Sequence, residues 1–315
     1  MPESFFVLSK DYLELAIDEI ISISKIYDRF SKVKVISNLV IVQSKTNWSE
    51  IAKRATFVKI SGQILRKMSG LFLDENNFEV LKNAKTFVCR IINLSSNQFN
   101  VVELESSMGD MISKFSHAKV KLEDPDITVY LIFTNKENFF GFSKRVKEVK
   151  RPIKIKKYPH ELEWKLTRVM INLTGLNKDE TVCDPFCGTG TTLLEAESMG
   201  IHAIGLDFDK KMCEMSKENL KANGYKSQVI QSDFQELSKI SEKFDGIVTD
   251  LPYGISSKTS EKPQEILKKF FSIMPKRKRV AIMYKKELDN SLKIGGLKQY
   301  HIYRHKSLTR TILIK

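Results

Sequence analysis

The chain of 315 residues has little cysteine and no long apolar segment, and both shortages exclude classes of protein. Its four cysteines contain no C-x-x-C pair, so we expect neither a disulfide scaffold nor a zinc site. No apolar run approaches the ~20 residues that span a bilayer. The first ten residues lack the basic region that opens a signal peptide. We therefore expect a cytoplasmic protein that uses neither a membrane nor a metal.

Positive charge is in clear excess, with a formal net charge of +14 at pH 7. Such a balance favours a polyanionic partner, although a generally lysine-rich proteome would produce it as well. Clustering supports the first interpretation, because eight basic residues lie between positions 144 and 157 with Glu148 as the only acid. We predict that they contact nucleic acid through its phosphates. The eight are Lys144, Arg145, Lys147, Lys150, Arg151, Lys154, Lys156 and Lys157.

One stretch, residues 181–195 (TVCDPFCGTGTTLLE), predicts a strand, a glycine turn and the start of a helix. Glycine suits a position where the backbone turns tightly and a ligand approaches closely. A G-x-G turn alone is weak support for a ligand site, since many tight turns bind nothing. The residues that follow it strengthen the prediction.

Three later apolar runs also end in a carboxylate, at Asp207, Asp233 and Asp250. In an open parallel α/β sheet the ligand lies outside the carboxyl ends of the strands, so these residues and Asp184 should line one crevice. Asp207, about 20 residues after the glycine turn, is placed to bind both hydroxyls of a ribose. Asp209 is the alternative for the ribose, and Asp233 could instead cap a helix.

The block DPFCGTG…GLDFD…SDF…DLPYG resembles the S-adenosylmethionine-dependent methyltransferases of the Rossmann-like class. Its last part resembles the D/N-P-P-Y/F motif of enzymes that methylate exocyclic amino groups of bases. The archaeal tRNA (guanine-10) N(2)-methyltransferases, which join such a domain to a THUMP module, are the most similar group, and the terminal HKSLTR matches them too. The resemblance implies an α/β fold. A mostly parallel seven-stranded sheet with an antiparallel C-terminal strand would follow an α/β THUMP-type RNA-binding region.

The resemblance also implies which residues bind the cofactor S-adenosyl-L-methionine. In this family the residue at Asp233 accepts a hydrogen bond from the adenine amino group, and the ring at Phe234 packs on the base. The cofactor-binding residues carried over are Asp184, Phe186, Cys187, Gly188, Thr189, Gly190, Asp207, Phe208, Asp233 and Phe234.

The catalytic residues implied are Asp250, Leu251, Pro252 and Tyr253. The lone pair of a guanine amino group is delocalised into the ring, and acceptors for both amino hydrogens favour a pyramidal nitrogen. Asp250 would supply one acceptor and a backbone carbonyl of Leu251 or Pro252 the other, while Tyr253 would stack on the base. Whether Asp250 also takes the departing proton stays open, and the activated methyl group needs no metal.

Four segments are predicted along the chain. Pro152 and Pro159 disfavour a helix in the residues before them, so the basic segment that links the two halves of the chain should be extended. The segment KYPHELEWK departs from the family pattern, and cofactor contacts within 153–165 therefore stay unassigned. The segments are a small ferredoxin-like α/β subdomain (1–54), the THUMP domain (55–143), a basic linker (144–158) and the methyltransferase domain (159–315).

The sequence thus predicts a monomeric tRNA methyltransferase that modifies the 2-amino group of guanosine, at position 10, with one or two methyl groups. One alternative is an amino methyltransferase for another tRNA guanine, an rRNA guanine, or adenine or cytosine in DNA. A DNA enzyme would usually carry a dedicated target-recognition domain. The other alternative is a non-catalytic RNA-binding protein with a methyltransferase fold, against which the intact motifs argue.

Overall fold

The chain folds into two compact units in the computed structural model, which describes residues 1–68, 79–146, 150–159, 161–252, 262–291, 296–305 and 308–315. The first unit comprises residues 1–13, 27–53 and 57–149, and the second comprises residues 14–26, 54–56 and 150–315. The four predicted segments remain a prediction.

The first unit is built on a mixed sheet, which has eight strands within the described residues. Its strand order is β2-β3-β1-β4-β8-β7-β5-β6, and the pairings are antiparallel except those of β5 with β6 and β7. Strands β2 and β3 form an antiparallel hairpin over Ser37 and Asn38. The strands are β1 (Glu3–Leu8), β2 (Lys32–Ile36), β3 (Leu39–Gln43), β4 (Val58–Met68), β5 (Thr86–Leu94), β6 (Lys119–Val120), β7 (Ile127–Thr134) and β8 (Asn138–Lys144).

Strand β7 of this sheet is buried on both faces, which accounts for its mostly apolar sequence. Alternate side chains of a strand point to opposite faces. Val129 and Leu131 join one core cluster together with Phe87, whereas Tyr130 and Ile132 join another. The helices that include residues of this unit are α1 (Leu13–Tyr27), α2 (Trp48–Arg54) and α3 (Val101–Phe115).

The second unit contains a sheet with strand order β11-β10-β9-β12-β13-β15-β14, seven strands in the part of the chain that is described. The first five are parallel, and β15 is antiparallel to both of its neighbours, which confirms the predicted sheet. The strands are β9 (Thr181–Asp184), β10 (His202–Asp207), β11 (Gln228–Gln231), β12 (Gly246–Asp250), β13 (Arg279–Lys285), β14 (Lys298–His305) and β15 (Leu308–Ile314). The helices are α4 (Trp164–Leu173), α5 (Thr191–Ser198), α6 (Lys210–Ala222) and α7 (Pro263–Ile273).

A buried polar network explains why most of α1 belongs to the second unit. The carboxylate of Glu19 accepts hydrogen bonds from Asn172 Nδ2 at 2.7 Å and from both the backbone and the hydroxyl of Thr56. Arg54 Nε donates to Asn172 Oδ1 at 2.9 Å. Glu19, Arg54 and Asn172 are all buried. Each charge therefore has hydrogen-bond partners, as a buried ionic group requires.

None of the described helices is long and apolar enough to cross a bilayer. The described part of the chain also holds no group of three or more metal-ligating side chains of the His, Cys, Asp or Glu type.

Candidate active site

The glycine turn lies between β9 and α5, where the sequence predicts it. Gly190 has a φ of +85°, and a Cβ there would lie 2.4 Å from the Ser216 hydroxyl on α6. Gly188 has a φ of +51°, and a Cβ there would meet no atom within 4 Å. Gly190 is thus required by both conformation and space. Gly188 leaves open room above the turn for a ligand.

A cavity of about 360 Å³ opens at the carboxyl ends of β9, β10 and β12. This volume lies within the roughly 300–1,000 Å³ of small-molecule sites. Ten predicted site residues line it: Asp184, Phe186, Cys187, Gly188, Thr189, Asp207, Phe208, Asp250, Leu251 and Pro252. The lining also includes Asp209, the alternative for the ribose. The other lining residues were not predicted as sites, namely Tyr158, Glu161, Leu162, Thr191, Thr192, Lys211 and Met212.

Asp184 ends β9 beneath the cavity and is 3% exposed. Its Oδ1 accepts hydrogen bonds from the Thr249 hydroxyl at 2.6 Å and from the Phe186 backbone at 3.1 Å. Burial raises the pKa of this carboxyl from 3.8 to about 6, because it disfavours the charged form. Asp184 therefore joins β9 to β12 and fixes the entry to the turn.

Asp207 ends β10 and faces the turn directly. Its two carboxylate oxygens accept hydrogen bonds from the backbone N–H groups of Gly188 and Asp209, both at 2.9 Å. Burial raises the pKa of Asp207, the largest of the effects on this group. Phe208 is 44% exposed and lines the cavity beside it. The rival Asp209 caps α6 by accepting from the Lys211 backbone at 2.9 Å.

The structure does not bring Asp233 and Phe234 into the cavity. Asp233 is exposed, and its carboxylate accepts from the Gln235 backbone at 2.9 Å, which caps the 3₁₀ turn Phe234–Ser238. Phe234 is buried and packs on Phe186, with ring centroids 5.0 Å apart. The helix-cap alternative recognised in the sequence describes Asp233 here. Its contact with an adenine stays a prediction.

Asp250, Leu251 and Pro252 follow one another out of β12 along the cavity. The Leu251 N–H donates to the Met283 carbonyl at 2.9 Å, which continues the pairing of β12 with β13 beyond the last strand residue. Asp250 is half-buried, and its Oδ1 accepts a hydrogen bond from Arg310 Nη2. Tyr253 lies outside the described residues.

Glu161, which the sequence analysis leaves unassigned, and Lys154, which it predicts to contact RNA, form a polar cluster beside the glycine turn. Glu161 Oε2 accepts from the Thr189 hydroxyl at 2.8 Å and from Lys154 Nζ. Lys154 Nζ also donates to the Thr191 hydroxyl at 2.5 Å, and burial lowers the pKa of this lysine. Both residues lie within 153–165, where cofactor contacts stay unassigned, and Glu161 lies in the segment KYPHELEWK that departs from the family pattern. No sequence signal there indicated the cluster.

The remaining predicted RNA-binding residues are divided between the two units. In the second unit, residues 150–158 form neither helix nor strand, and their extended conformation stays a prediction. Asn219 of α6 and Asn223, which caps that helix, form hydrogen bonds with the backbone of this segment. Arg151 stacks on Trp164, 3.0 Å from the ring centroid, and pairs with Glu195 at 2.5 Å. Also in the second unit, Lys156 forms an ion pair with Glu218, and the side chains of Lys150 and Lys157 are exposed. In the first unit, Lys144 is exposed and Arg145 forms an ion pair with Asp124. Lys147 lies outside the described residues.

The cavity is acidic although the protein is strongly basic. Its lining has five carboxylates and one lysine, which favours a ligand with positive charge near the turn. S-adenosylmethionine carries a sulfonium and an ammonium group, so its charge fits. The open room above Gly188 and the carboxylate of Asp207 are the contacts through which the turn and β10 would hold it.

Comparison with known proteins agrees with this site. The family described as RMKL-like, methyltransferase domain matches residues 151–307. A family described as DNA methylase matches residues 17–218, which end before Asp250 and so include none of the predicted catalytic residues.

Relatives and solved structures extend the likeness to the whole chain. A tRNA (guanine(10)-N2)-dimethyltransferase of Methanothermobacter thermautotrophicus is 29% identical over 341 residues, covering 99% of this chain and 98% of the relative. A protein of Methanothermococcus thermolithotrophicus named "Probable tRNA (guanine(10)-N2)-dimethyltransferase" is 34% identical over 156 residues, covering 47% of this chain and 95% of the relative. TrmN from Thermus thermophilus superposes with a TM-score of 0.60 at 17% identity, covering 100% of this chain and 99% of that one.

The sheet topology, glycine turn and acidic strand ends define an S-adenosylmethionine-dependent methyltransferase of the Rossmann-like class. Within that class, the chain belongs to the archaeal tRNA (guanine-10) N(2)-methyltransferase family, as its resemblance to that family predicts.

Proposed function

We propose that this protein transfers methyl groups to the exocyclic 2-amino group of a guanosine in tRNA. The observation that carries the proposal is the placement of Asp250, Leu251 and Pro252 in the same cavity as the glycine turn and Asp207. The acceptor for an amino group and the site for the methyl donor are thereby adjacent. Methyl transfer between bound groups requires this proximity.

The residues of β12 and the loop after it have a positioning role in this proposal. The Asp250 carboxylate accepts a hydrogen bond from the guanine amino group, and a backbone carbonyl after it accepts the second. Both bonds favour a pyramidal nitrogen whose lone pair points away from the ring. S-adenosylmethionine, when bound, supplies a methyl group already activated by its sulfonium. The residues of this chain then have to orient the base rather than activate the donor.

The acidic cavity discriminates between the phosphates and the bases of a nucleic-acid substrate. Phosphates are repelled by the carboxylates at the turn, whereas an uncharged base can enter. A base in a folded RNA must leave its stack to do so, which costs a few kcal/mol. Contacts elsewhere on the RNA have to offset that cost, and the basic residues between 144 and 157 are candidates for them.

The finer assignments rest on the relatives. Those named above carry guanine 10 and dimethylation in their names, which supports position 10 of tRNA and the addition of up to two methyl groups. The first unit is proposed to be the THUMP-type RNA-binding region. We further propose a monomer that acts in the cytoplasm, where tRNA is modified.

The proposal is tested with unmodified tRNA transcripts, labelled S-adenosylmethionine and nucleoside mass spectrometry. We expect N2-methylated guanosine, which disappears when guanine 10 of the transcript is replaced. The variant Asp250→Ala should lower the rate by at least about 100-fold, as loss of a positioning hydrogen bond at a reacting group commonly does, with tRNA and cofactor affinities changed only a few fold.

Asp245→Ala is the matched control, because Asp245 lies at the opposite end of β12 and accepts from the Thr181 backbone at 2.8 Å. Its activity should stay near that of the wild type. Label on another nucleoside would move the target but keep the enzyme. Tight tRNA binding without any methyl transfer would favour a non-catalytic RNA-binding protein.

A further inference from the structure

Arg310 is the last residue of the HKSLTR segment and lies on β15, 60 residues after Asp250 in the chain. It is 4% exposed, yet its Nη2 donates a hydrogen bond to Asp250 Oδ1 and forms an ion pair with it. A buried guanidinium is rare, because removing such a charge from water is costly unless it is paired. The proposed function gives this arginine no role.

The register of the sheet explains how two distant residues meet. Asp250 is opposite Met283 on β13, and Met283 is opposite Ile312 on β15. Opposite residues share a face of the sheet, and so does the residue two positions away. Arg310, two residues before Ile312, is therefore on the same face as Asp250. Because β13 lies between the two strands, the long side chain of Arg310 spans β13 to reach the carboxylate.

The guanidinium of Arg310 is charged at neutral pH. Burial lowers the pKa of Arg310 to about 10, which still leaves the guanidinium protonated at pH 7. A charge-assisted hydrogen bond from a guanidinium favours the ionised form of a carboxylate and is stronger than a neutral bond. Asp250 is thus held as an anion in one orientation beside the cavity.

We propose that Arg310 is a positioning residue that keeps Asp250 as a fixed, ionised hydrogen-bond acceptor rather than a general base. This inference rests on the proposed function, and it answers the question that the sequence leaves open about the departing proton. Since a neighbouring cation stabilises the carboxylate, it also weakens the carboxylate as a proton acceptor.

The chemical balance of the step does not need Asp250 as a base. The lone pair of the amino nitrogen forms the new N–C bond, and the C–S bond breaks with its electron pair left on sulfur. The nitrogen then carries a positive charge and an acidic proton. That proton leaves to water, and Asp250 has only to orient the amino group before the transfer.

The pH dependence of methyl transfer also depends on the charged and titratable groups near Arg310. Lys285 on β13 is its register partner and shares its face, and it pairs with Glu287 at 3.3 Å. Asp184 and Asp207 line the same cavity as Asp250. Tyr284, His301 and Asp289 surround Thr311, whose side chain points to the opposite face of the sheet.

The experiment measures single-turnover methyl transfer to tRNA against pH for wild type, Arg310→Gln, Arg310→Lys and Asp250→Asn. Arg310→Gln should slow the reaction about 10- to 100-fold at pH 7 and move its acidic limb up by about one pH unit or more, because the cation no longer stabilises the ionised carboxylate. Arg310→Lys keeps the charge, so its acidic limb should stay in place, with a rate within about tenfold of the wild type.

The control is Lys285→Gln, which removes a positive charge from the same face without touching the ion pair. Its rate and pH profile should match those of the wild type. In the Asp250→Asn background, Arg310→Gln should add less than about a threefold loss, since residues that act through one another have non-additive effects. Calorimetric affinities for cofactor and tRNA should change only a few fold in every variant.

Several results would overturn the inference. If Arg310→Gln has the rate and the pH profile of the wild type, Arg310 plays no part in the reaction. An Arg310→Lys variant whose acidic limb moves despite the retained charge would make the role structural, and this variant decides the question if Arg310→Gln does not fold. Full additivity with Asp250→Asn would show that Arg310 acts elsewhere. If the wild type methylates no guanosine at all, the proposed function fails and the inference fails with it.

Discussion

The variant Gly190→Ala tests why the turn requires glycine, because the structure shows two separate sources of destabilisation, the backbone conformation and a steric overlap. The substitution places a Cβ on a residue whose φ is +85° and 2.4 Å from the Ser216 hydroxyl. The left-handed conformation costs a residue with a side chain about 1–2 kcal/mol. Overpacking of a buried contact costs about 1–3 kcal/mol. We therefore expect the second unit to lose roughly 2–5 kcal/mol of its free energy of unfolding.

Two further variants separate these contributions. Gly224 has a φ of +72°, and a Cβ there would have no atom within 4 Å, so Gly224→Ala should cost only the conformational part, about 1–2 kcal/mol. Ser216→Ala removes the overlapping hydroxyl, which is buried and has no hydrogen-bond partner among the described residues. Combined with Gly190→Ala it should restore about 1–3 kcal/mol, although the Ser216 Cβ would remain 3.3 Å away.

Tryptophan fluorescence provides the assay, because the chain has two tryptophans and each lies in a different unit. In a Trp48→Phe background, Trp164 reports on urea unfolding of the second unit alone. The reasoning is refuted if Gly190→Ala costs no more than Gly224→Ala. It is refuted equally if Ser216→Ala restores nothing in the double variant, since the overlap would then not be the source of the extra loss.

Two other predictions concern charge. Because burial raises the pKa of Asp184 from 3.8 to about 6, the folded protein binds this proton more tightly than the unfolded chain, and the resulting stability is present below about pH 4 and lost as pH rises through 6. The free energy of unfolding of Asp184→Asn, measured with urea, should therefore rise by roughly 3 kcal/mol relative to that of the wild type between pH 4 and 7. A difference between the two proteins that does not change with pH would contradict this. The double variant Lys150→Glu/Lys157→Glu should weaken tRNA binding and flatten its salt dependence, and unchanged binding isotherms across salt concentrations would remove these lysines from the RNA interface.

The parts of the site that lie within one strand–turn–helix unit could be predicted from the sequence. The positions of Asp184, Gly188 and Gly190 can be predicted because these residues are close in sequence, and the local backbone alone brings them together. Asp207 follows in the next unit, and the carboxyl ends of parallel strands must meet at one edge. The same rule brings Asp250 into the cavity. These predictions needed only periodicity and turn chemistry.

Contacts that depend on sheet register could not be predicted in this way. Arg310 meets Asp250 because β15 is inserted antiparallel beside β13, and a shift of one residue would turn its side chain to the other face. Asp233 shows the converse limit, since an aspartate after a strand serves equally well as a ligand or as a cap. The network of Glu19, Arg54 and Asn172 joins three distant segments, so no local pattern indicates it.

The distribution of charge links the fold to its function. A net charge of +14 attracts a polyanion to the protein as a whole, while five carboxylates in the lining of the cavity make it unfavourable for phosphate. If the cavity were basic as well, the RNA backbone would compete with the base for it. Because Arg310 compensates the charge of Asp250 from the same face of the sheet, the acidic lining can include an ionised acceptor without further repulsion between carboxylates. The arrangement therefore favours entry of an uncharged base and of a cationic methyl donor at the same edge of the sheet.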